Sequence, residues 1–305
     1  TDLPRDAVGV IQGNVADYTG RTVAVAMMHT LALRADRAGP DCWEPLQAWL
    51  RGGLVVYDEL DVFPAAKMQR ALSLFEATRW GLTATHRPDG LQRVLELHLG
   101  PREFYRGGYD LKPVVLSYRV PVPGYFGRYR NFTNCLTQLE VHDDTYRAAV
   151  RKIILDAVRD DRKTLLLLQR TEAIEATAAW AREQGIDAGV IHGGVGQRDR
   201  LTVLRGKRLV VANRKIAGRA LDQPDLEVII TGPTSNPALA EQVAGRLCRT
   251  GTGKRRPVLI LLWPWLSGGG EAISRFVGMA SSNERALRAV GFNDVRYRTF
   301  GAEET

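Results

Sequence analysis

The chain has 305 residues, of which 45% are hydrophobic and 25% charged, ordinary globular usage that excludes a disordered or low-complexity chain. Lys plus Arg outnumber Asp plus Glu by 42 to 34, and the net charge of +8 admits nucleic acid as a partner without requiring it. No apolar run approaches the roughly 18 residues of a membrane span, no leader pattern opens the chain, and Cys42, Cys135 and Cys248 are too dispersed for a disulfide framework or a zinc site, so a reducing cytoplasm is the expected setting.

In chain order, short apolar runs at Val23–Ala26, Leu54–Tyr57 and Gly81–Ala84 predict strands. A helix is predicted from Pro64, with Met68, Leu72 and Phe75 on one face. Residues 100–135 are rich in Gly, Pro and Tyr and predict a connecting region. Strands follow at Leu165–Leu168, Leu209–Val211, Glu227–Ile230 and Val258–Leu262, with a helix over Thr171–Gln184 that stops at Gly185 and another over Glu271–Ala280. The runs lack alternation, as expected of strands covered on both faces. The rhythm predicts an α/β fold with mostly parallel sheets, in two units over residues 1–112 and 113–305.

Four constellations could carry chemistry. Leu54-Val55-Val56-Tyr57 delivers Asp58, Glu59 and Asp61 to the carboxyl end of a strand, where ligands bind in open α/β sheets. A carboxylate pair there suits nucleotide hydrolysis, with Asp58 on Mg2+ and Glu59 polarising water; an ordinary strand with an acidic loop gives the same letters. Thr83 and Thr85 end a later strand and could sense the acidic loop, or be edge threonines favoured by β propensity. Val210-Val211-Ala212-Asn213 runs towards Gly218 and Asp222, which could meet a nucleotide ribose or line a polar connection. Gln242, Arg246 and Arg249 fall at i, i+4 and i+7 of a helix whose adjacent row is Leu239, Val243 and Leu247, and Gly245 permits close approach. Two arginines on one face suit a phosphoryl group, or a solvated basic surface.

In this order the four resemble the motifs of superfamily 2 helicases and translocases. Asp58-Glu59-Leu60-Asp61 looks like motif II, Thr83-Ala84-Thr85 like motif III, Gly218 to Pro224 like motif V, and Gln242 to Arg249 matches the QxxGRxxR pattern of motif VI. Leu165 to Arg170 resembles motif IV, and Ile191-His192-Gly193-Gly194 with Arg200 the segment after it. Val8 to Leu31 resembles the stretch with motifs Ib and Ic, and the likeness spans about residues 8–265. Gly81 to Thr85 with Asp89-Gly90 points to the branch of XPB-like, phage repair and type III restriction enzymes; His86 stands where relatives carry proline.

The resemblance implies two RecA-like domains, the first incomplete at its N-terminus, and an ATP-dependent DNA helicase or translocase of phage or bacterial repair or replication. ATP and Mg2+ are the implied cofactors, with ATP between the domains. Asp58 would hold the metal, Glu59 orient water, Arg246 and Arg249 stabilise the transferring phosphoryl group beside Gln242, and Gly218 and Asp222 meet the nucleotide. Asp61, Thr83 and Thr85 would couple the cleft to a single or forked DNA strand contacted by Thr30, Arg170, His192, Asn213, Arg214 and Lys215. No G-x-x-x-x-G-K-S/T phosphate loop occurs, since Gly206-Lys207 and Gly253-Lys254 are both followed by Arg. Thr250 to Lys254 follows the motif VI helix and is expected to be a turn. The family places its phosphate loop before Val8, so a missing upstream segment, supplied in cis or in trans, is expected. The alternative function is a non-hydrolysing or split-half module that binds nucleic acid or a partner. A packaging-type motor shares the acidic strand but leaves motif VI without a role.

Overall fold

The computed structural model describes residues 3–60, 63, 69–83, 92–101, 103, 109, 111–215, 223–251, 253–267 and 270–301. The chain divides into two compact units, Thr1–Arg106 and Gly107–Thr305.

In the first unit, β1 (Val8–Gln12) pairs antiparallel with β2 (Val15–Asp17) and parallel with β3 (Val23–Ala26). Helices α1 (Met28–Ala38) and α2 (Glu44–Leu50) follow, then β4 (Leu54–Tyr57), the short α3 (Gln69–Leu72), β5 (Thr78–Gly81) and α4 (Gln92–Leu99). Strands β4 and β5 form a parallel pair. One side of these strands is covered by two clusters, one around Ile11, Trp43, Leu46 and Phe75, the other around Tyr57, Leu60, Leu72 and Leu95. Val25, Val56 and Trp80 remain 57%, 47% and 60% exposed. This corrects the expectation of two-sided burial for Val23–Ala26 and Leu54–Tyr57, because alternate residues point away from the only cover the described residues provide. The strand expected at Gly81–Ala84 is shifted forward and ends at Gly81, with Ala84 outside the described residues. Pro64 and Met68 of the expected helix also lie outside them; Leu72 and Phe75 are buried, in different clusters.

The second unit contains β6 (Val114–Pro121), α5 (Phe132–Thr137), α6 (Asp144–Arg159), β7 (Thr164–Leu168), α7 (Thr171–Glu183), β8 (Ala188–Ile191), α8 (Gln197–Gly206) and β9 (Leu209–Asn213). It continues with β10 (Val228–Thr231), α9 (Pro237–Leu247), β11 (Val258–Trp265), α10 (Glu271–Ala289) and β12 (Val295–Thr299). Its seven strands lie in the order β12-β6-β11-β10-β7-β9-β8, and every neighbouring pair is parallel. One face packs against α6, α7 and the first half of α10 through Ile154, Ile174 and Phe276; the other packs against α8, α9 and the end of α10 through Leu204, Val243 and Leu287. Two covered faces explain why β7 and β10 are buried at every position. The region expected only to connect the units holds β6, a full strand of this sheet, and α10 runs nine residues past the expected Ala280 to Ala289.

Local signals set the helix ends. Asp143 caps α6 by accepting the Tyr146 N–H at 2.7 Å, and Asn236 with Pro237 opens α9. Gly185, at φ 74°, ends α7 as its position suggested. Gly270 sits against the turn at Gly124–Arg128, and a Cβ on it would overlap the Gly127 carbonyl. Gly270→Ala is therefore expected to destabilise the second unit by about 2 kcal/mol, read as a lower urea midpoint with an unchanged slope.

Candidate functional site

In the first unit the acidic corner closes β4. Asp58 and Glu59 are exposed, and the Glu59 N–H donates to Asp58 Oδ1 at 2.9 Å. Glu59 lies at φ 53°, the left-handed region that costs a non-glycine residue energy, so the surrounding bonds hold it there. The backbone ladder continues past the strand ends: the Leu82 N–H donates to the Tyr57 carbonyl at 2.8 Å and the Leu60 N–H to the Leu82 carbonyl at 2.9 Å. The corner is thus fastened on both sides to the segment that leads into Thr83. Gly81 packs tightly there, since a Cβ would overlap the ends of the Leu60 and Leu99 side chains and make them shift. Tyr57 anchors the strand end from inside, its hydroxyl donating to the Ala71 carbonyl at 3.1 Å, with burial pushing its pKa up to about 12. Asp61, Thr85 and His86 lie outside the described residues. Thr30 is buried and its hydroxyl oxygen accepts the Gly13 N–H at 3.0 Å, so it holds the β1–β2 turn instead of facing a ligand as expected.

In the second unit the candidate residues gather where β7, β9 and β10 end. The chain adds β8 and β9 on one side of β7, then returns to place β10 on the other, which makes the β7–β10 boundary a switch point of the sheet. Crevices for ligands open at the carboxyl ends of strands at such points. A cavity of about 670 Å³ lies there, lined by Gln169 after β7, Arg214 and Lys215 after β9, and Thr234 after β10.

These loops are cross-linked by polar side chains. Asn213 donates from Nδ2 to the Gln169 carbonyl at 3.1 Å and accepts the Lys215 N–H at 3.0 Å. Glu140, on a π turn at Gln138–His142, is buried; it accepts the N–H of Gln169 at 3.0 Å and of Arg170 at 2.9 Å, satisfying donors at the uncapped start of α7. Burial raises the Glu140 pKa, against the pull of the Gln169 N–H and the nearby Arg214 charge. Arg214 is buried too; burial lowers its pKa, and Glu140 opposes the shift. Its guanidinium donates to the Pro233 carbonyl at 3.1 Å, and a Cβ on Gly232 would press on it. Arg214 was expected at a nucleic-acid surface; the structure buries it as an internal counter-charge and leaves Lys215 exposed. Arg170 donates to the Thr133 carbonyl at 2.8 Å. His192 meets Glu175 at 2.6 Å through Nε2, while Nδ1 accepts the Gly194 N–H at 3.2 Å, so Nε2 carries the proton.

On α9, Gln242 and Arg246 share a half-exposed face, with Val243, Ala244 and Leu247 buried behind them. Gly245 does permit a close approach: the Tyr109 hydroxyl lies 3.0 Å from where its Cβ would be. The helix ends at Leu247, so Arg249, expected one turn further along the same face, sits exposed beyond the cap. Lys254 explains the stop: its ammonium donates to the carbonyls of Leu247 and Arg249, each at 2.8 Å. Lys254 therefore closes the helix, and burial lowers its pKa. Cys248 is buried, its thiol pushed up to about 12 by desolvation and donating to the Ala244 carbonyl. Gly218 and Asp222 lie outside the described residues. Sequence reasoning missed Glu140 and Asn283; the latter exchanges two 2.8 Å hydrogen bonds with the backbone of Thr234. A lone carboxylate between Leu139 and Val141 was the available signal for Glu140.

Residues 146–251 match the helicase conserved C-terminal domain family. The chain is 26% identical over 218 residues to a probable helicase, D10, of Escherichia phage T5, covering 68% of this chain and 48% of that protein. It thus spans about half the length of this curated relative. Among solved structures, Mycobacterium smegmatis helicase Lhr bound to ssDNA and AMP-PNP aligns at a TM-score of 0.55 with 18% identity, covering 96% of this chain and 38% of that one. Dbp5 of S. cerevisiae bound to RNA and ADP BeF3 aligns at 0.56 with 12% identity, covering 97% and 70%. The fold is the α/β fold of RecA-like helicase domains. Among the described residues no helix is long and apolar enough to cross a membrane.

The Glu140–Arg214 arrangement makes a measurable claim. Glu140→Gln is expected to cost about 3 kcal/mol in urea unfolding, because a buried cation loses its counter-charge. Adding Arg214→Met is expected to recover at least about 1 kcal/mol relative to the sum of the single variants.

Proposed function

We propose, from the premise that this chain is superfamily 2 helicase-like and carries a helicase conserved C-terminal domain, that it is the C-terminal part of an ATP-dependent nucleic-acid translocase, with DNA the favoured track. The observation that carries this reading is the α9 segment, which lies inside the matched domain and offers Gln242 and Arg246 on one face above a buried apolar row. Charge developing on a transferring phosphoryl group is stabilised by such arginines, and Arg249 beyond the cap adds a second.

The first unit supplies the other half of the catalytic set. Exposed carboxylate oxygens are the donors a hard divalent cation prefers, so Asp58 and Glu59 fit Mg2+. Bound magnesium would neutralise charge on phosphate oxygens. Asp58 would hold it, and Glu59, fixed in its strained backbone, would orient the attacking water. Asp61, Thr83 and Thr85 couple that corner to the strand of DNA, and Gly218 and Asp222 hold the nucleotide. On the second unit the DNA backbone runs over the strand ends, with Lys215 at the surface and Asn213, Arg170 and His192 setting the shape of the loops. Contacts of this kind give affinity without base preference. We place this activity in the cytoplasm.

ATP needs a phosphate loop, which this sequence does not contain, and a segment in cis or in trans supplies it. The exposed apolar side of β3, β4 and β5 favours this, since such a face is stable when another element covers it. The same observation supports the second reading, a split-half module that binds nucleic acid but hydrolyses nothing.

DNA-stimulated ATP hydrolysis separates the two. It is measured with this chain alone and with a segment bearing G-x-x-x-x-G-K-S/T from the same locus. Hydrolysis only with that segment, falling at least about 100-fold in Glu59→Gln, is the expected result. No hydrolysis in either form, with DNA binding retained, would establish the binding module instead.

A further inference from the structure

The cavity at the switch point of the second unit has a wall that no motif of the chain accounts for. Helix α10 lies beyond the matched domain, and it presents Arg275, Gly278, Met279 and Ser282 to the cavity. These fall at i, i+3, i+4 and i+7, so one helical face is committed to it. Phe132, at the start of α5, lines the cavity too, its ring 4.6 Å from that of Phe276.

Gly278 is the informative residue. A glycine inside a helix is less favourable than alanine by an amount that needs a reason. Its φ is not positive, and a Cβ built on it meets nothing within 4 Å. The fold therefore does not demand glycine here. What glycine does is leave the cavity open along the helix surface.

The electrostatics of the cavity favour an anion. Lys215 and Arg275 are exposed, the latter paired with Glu271 at 2.7 Å. Arg214 lines the cavity too; it is 9% exposed, and its Nε has no hydrogen-bond partner. Its charge is matched from behind by Glu140, so the positive rim itself is Lys215 and Arg275. Thr234 is held in place by the paired hydrogen bonds of the fully buried Asn283. A positive rim beside an apolar patch of Phe132 and Met279 matches the two halves of a nucleotide, a phosphate and a base.

We propose that this cavity seats one nucleotide of a single strand, with its phosphate at Lys215, Thr234 and Arg275 and its base over Gly278 against Phe132 and Met279. The proposal rests on the nucleic-acid reading above and adds α10 to the path of the strand. It assigns Gly278 the role of keeping the base seat open and Asn283 that of positioning Thr234.

The test is fluorescence anisotropy with the full chain, using labelled oligothymidylate and an abasic oligomer of the same length. Gly278→Trp fills the seat from a position where the fold has room, and an unchanged thermal midpoint verifies that it folds. On oligothymidylate it is expected to weaken binding about 10-fold, the loss of one stacked base. On the abasic oligomer the wild-type chain is already weaker, and the tryptophan changes little. Arg275→Gln is expected to make the log–log salt slope shallower by about 0.7, one phosphate contact on a single strand. Competition by inorganic phosphate or thymidine monophosphate as effective as that by the oligomer would identify a small-anion site and overturn the proposal. Unchanged oligothymidylate binding in Gly278→Trp, or equal weakening on both oligomers, would overturn the base seat and leave the nucleic-acid reading intact. A wild-type chain that binds no oligomer would overturn both.

Discussion

The loops at the strand ends of the second unit are fastened by two buried side chains of opposite charge, Glu140 and Arg214, each hydrogen-bonded to backbone and acting on the other through its field. Glu140 and Arg214 are both out of water, and each is tolerable only because of the other and of the backbone groups around them. Glu140 takes the N–H groups that begin α7, and Arg214 takes the carbonyl of Pro233. Together they fasten the loops after β7, β9 and β10, the three that line the cavity. A purely apolar plug could fill the same space, but it would leave those backbone groups unpaired. The ionic arrangement therefore fixes loop geometry where a ligand site needs it fixed.

The first unit solves a different problem less completely. Strand β4 carries apolar residues on both sides, Val55 and Tyr57 on one and Leu54 and Val56 on the other, yet the second side, with Val25 and Trp80, is exposed among the described residues. The acidic corner at Asp58 and Glu59 nevertheless has its own support, since its backbone bonds run to β5 and the segment after it. Glu59 can thus be held in a left-handed conformation by neighbours that are present. The fastening of the corner is local and does not depend on what covers the exposed side of the strands.

The strands legible in the sequence were those whose environment is uniform. The apolar runs in β7, β9, β10 and β11 announce two covered faces, and the structure buries them. Strand β6 escaped notice because Ser117, Tyr118 and Arg119 interrupt its apolar letters, although Ser117 is fully buried and accepts the Trp263 indole N–H at 3.0 Å. Strand β12, at the sheet edge, mixes Arg296 and Arg298 with Tyr297 and has no apolar run to find. The candidate site was expected from an ordered set of motifs, because each motif is contiguous in sequence. Glu140, Asn283 and the α10 wall were not, because they act from segments distant in the chain and gain meaning only where the fold brings them to the same strand ends.

Helix α9 shows how letters and environment divide the work. Gln242, Arg246 and Arg249 have the spacing of a continuous helical face, and spacing alone would extend the helix through Arg249. The carbonyls at its end decide otherwise. Lys254 folds back onto Leu247 and Arg249, placing a positive charge at the negative end of the helix dipole. The lysine of a glycine-rich Gly-Thr-Gly-Lys run, a residue type that elsewhere grips phosphate, is here committed to backbone. By ending the helix at Leu247, it places Arg249 in the turn beyond the cap and off the helical face that holds Arg246.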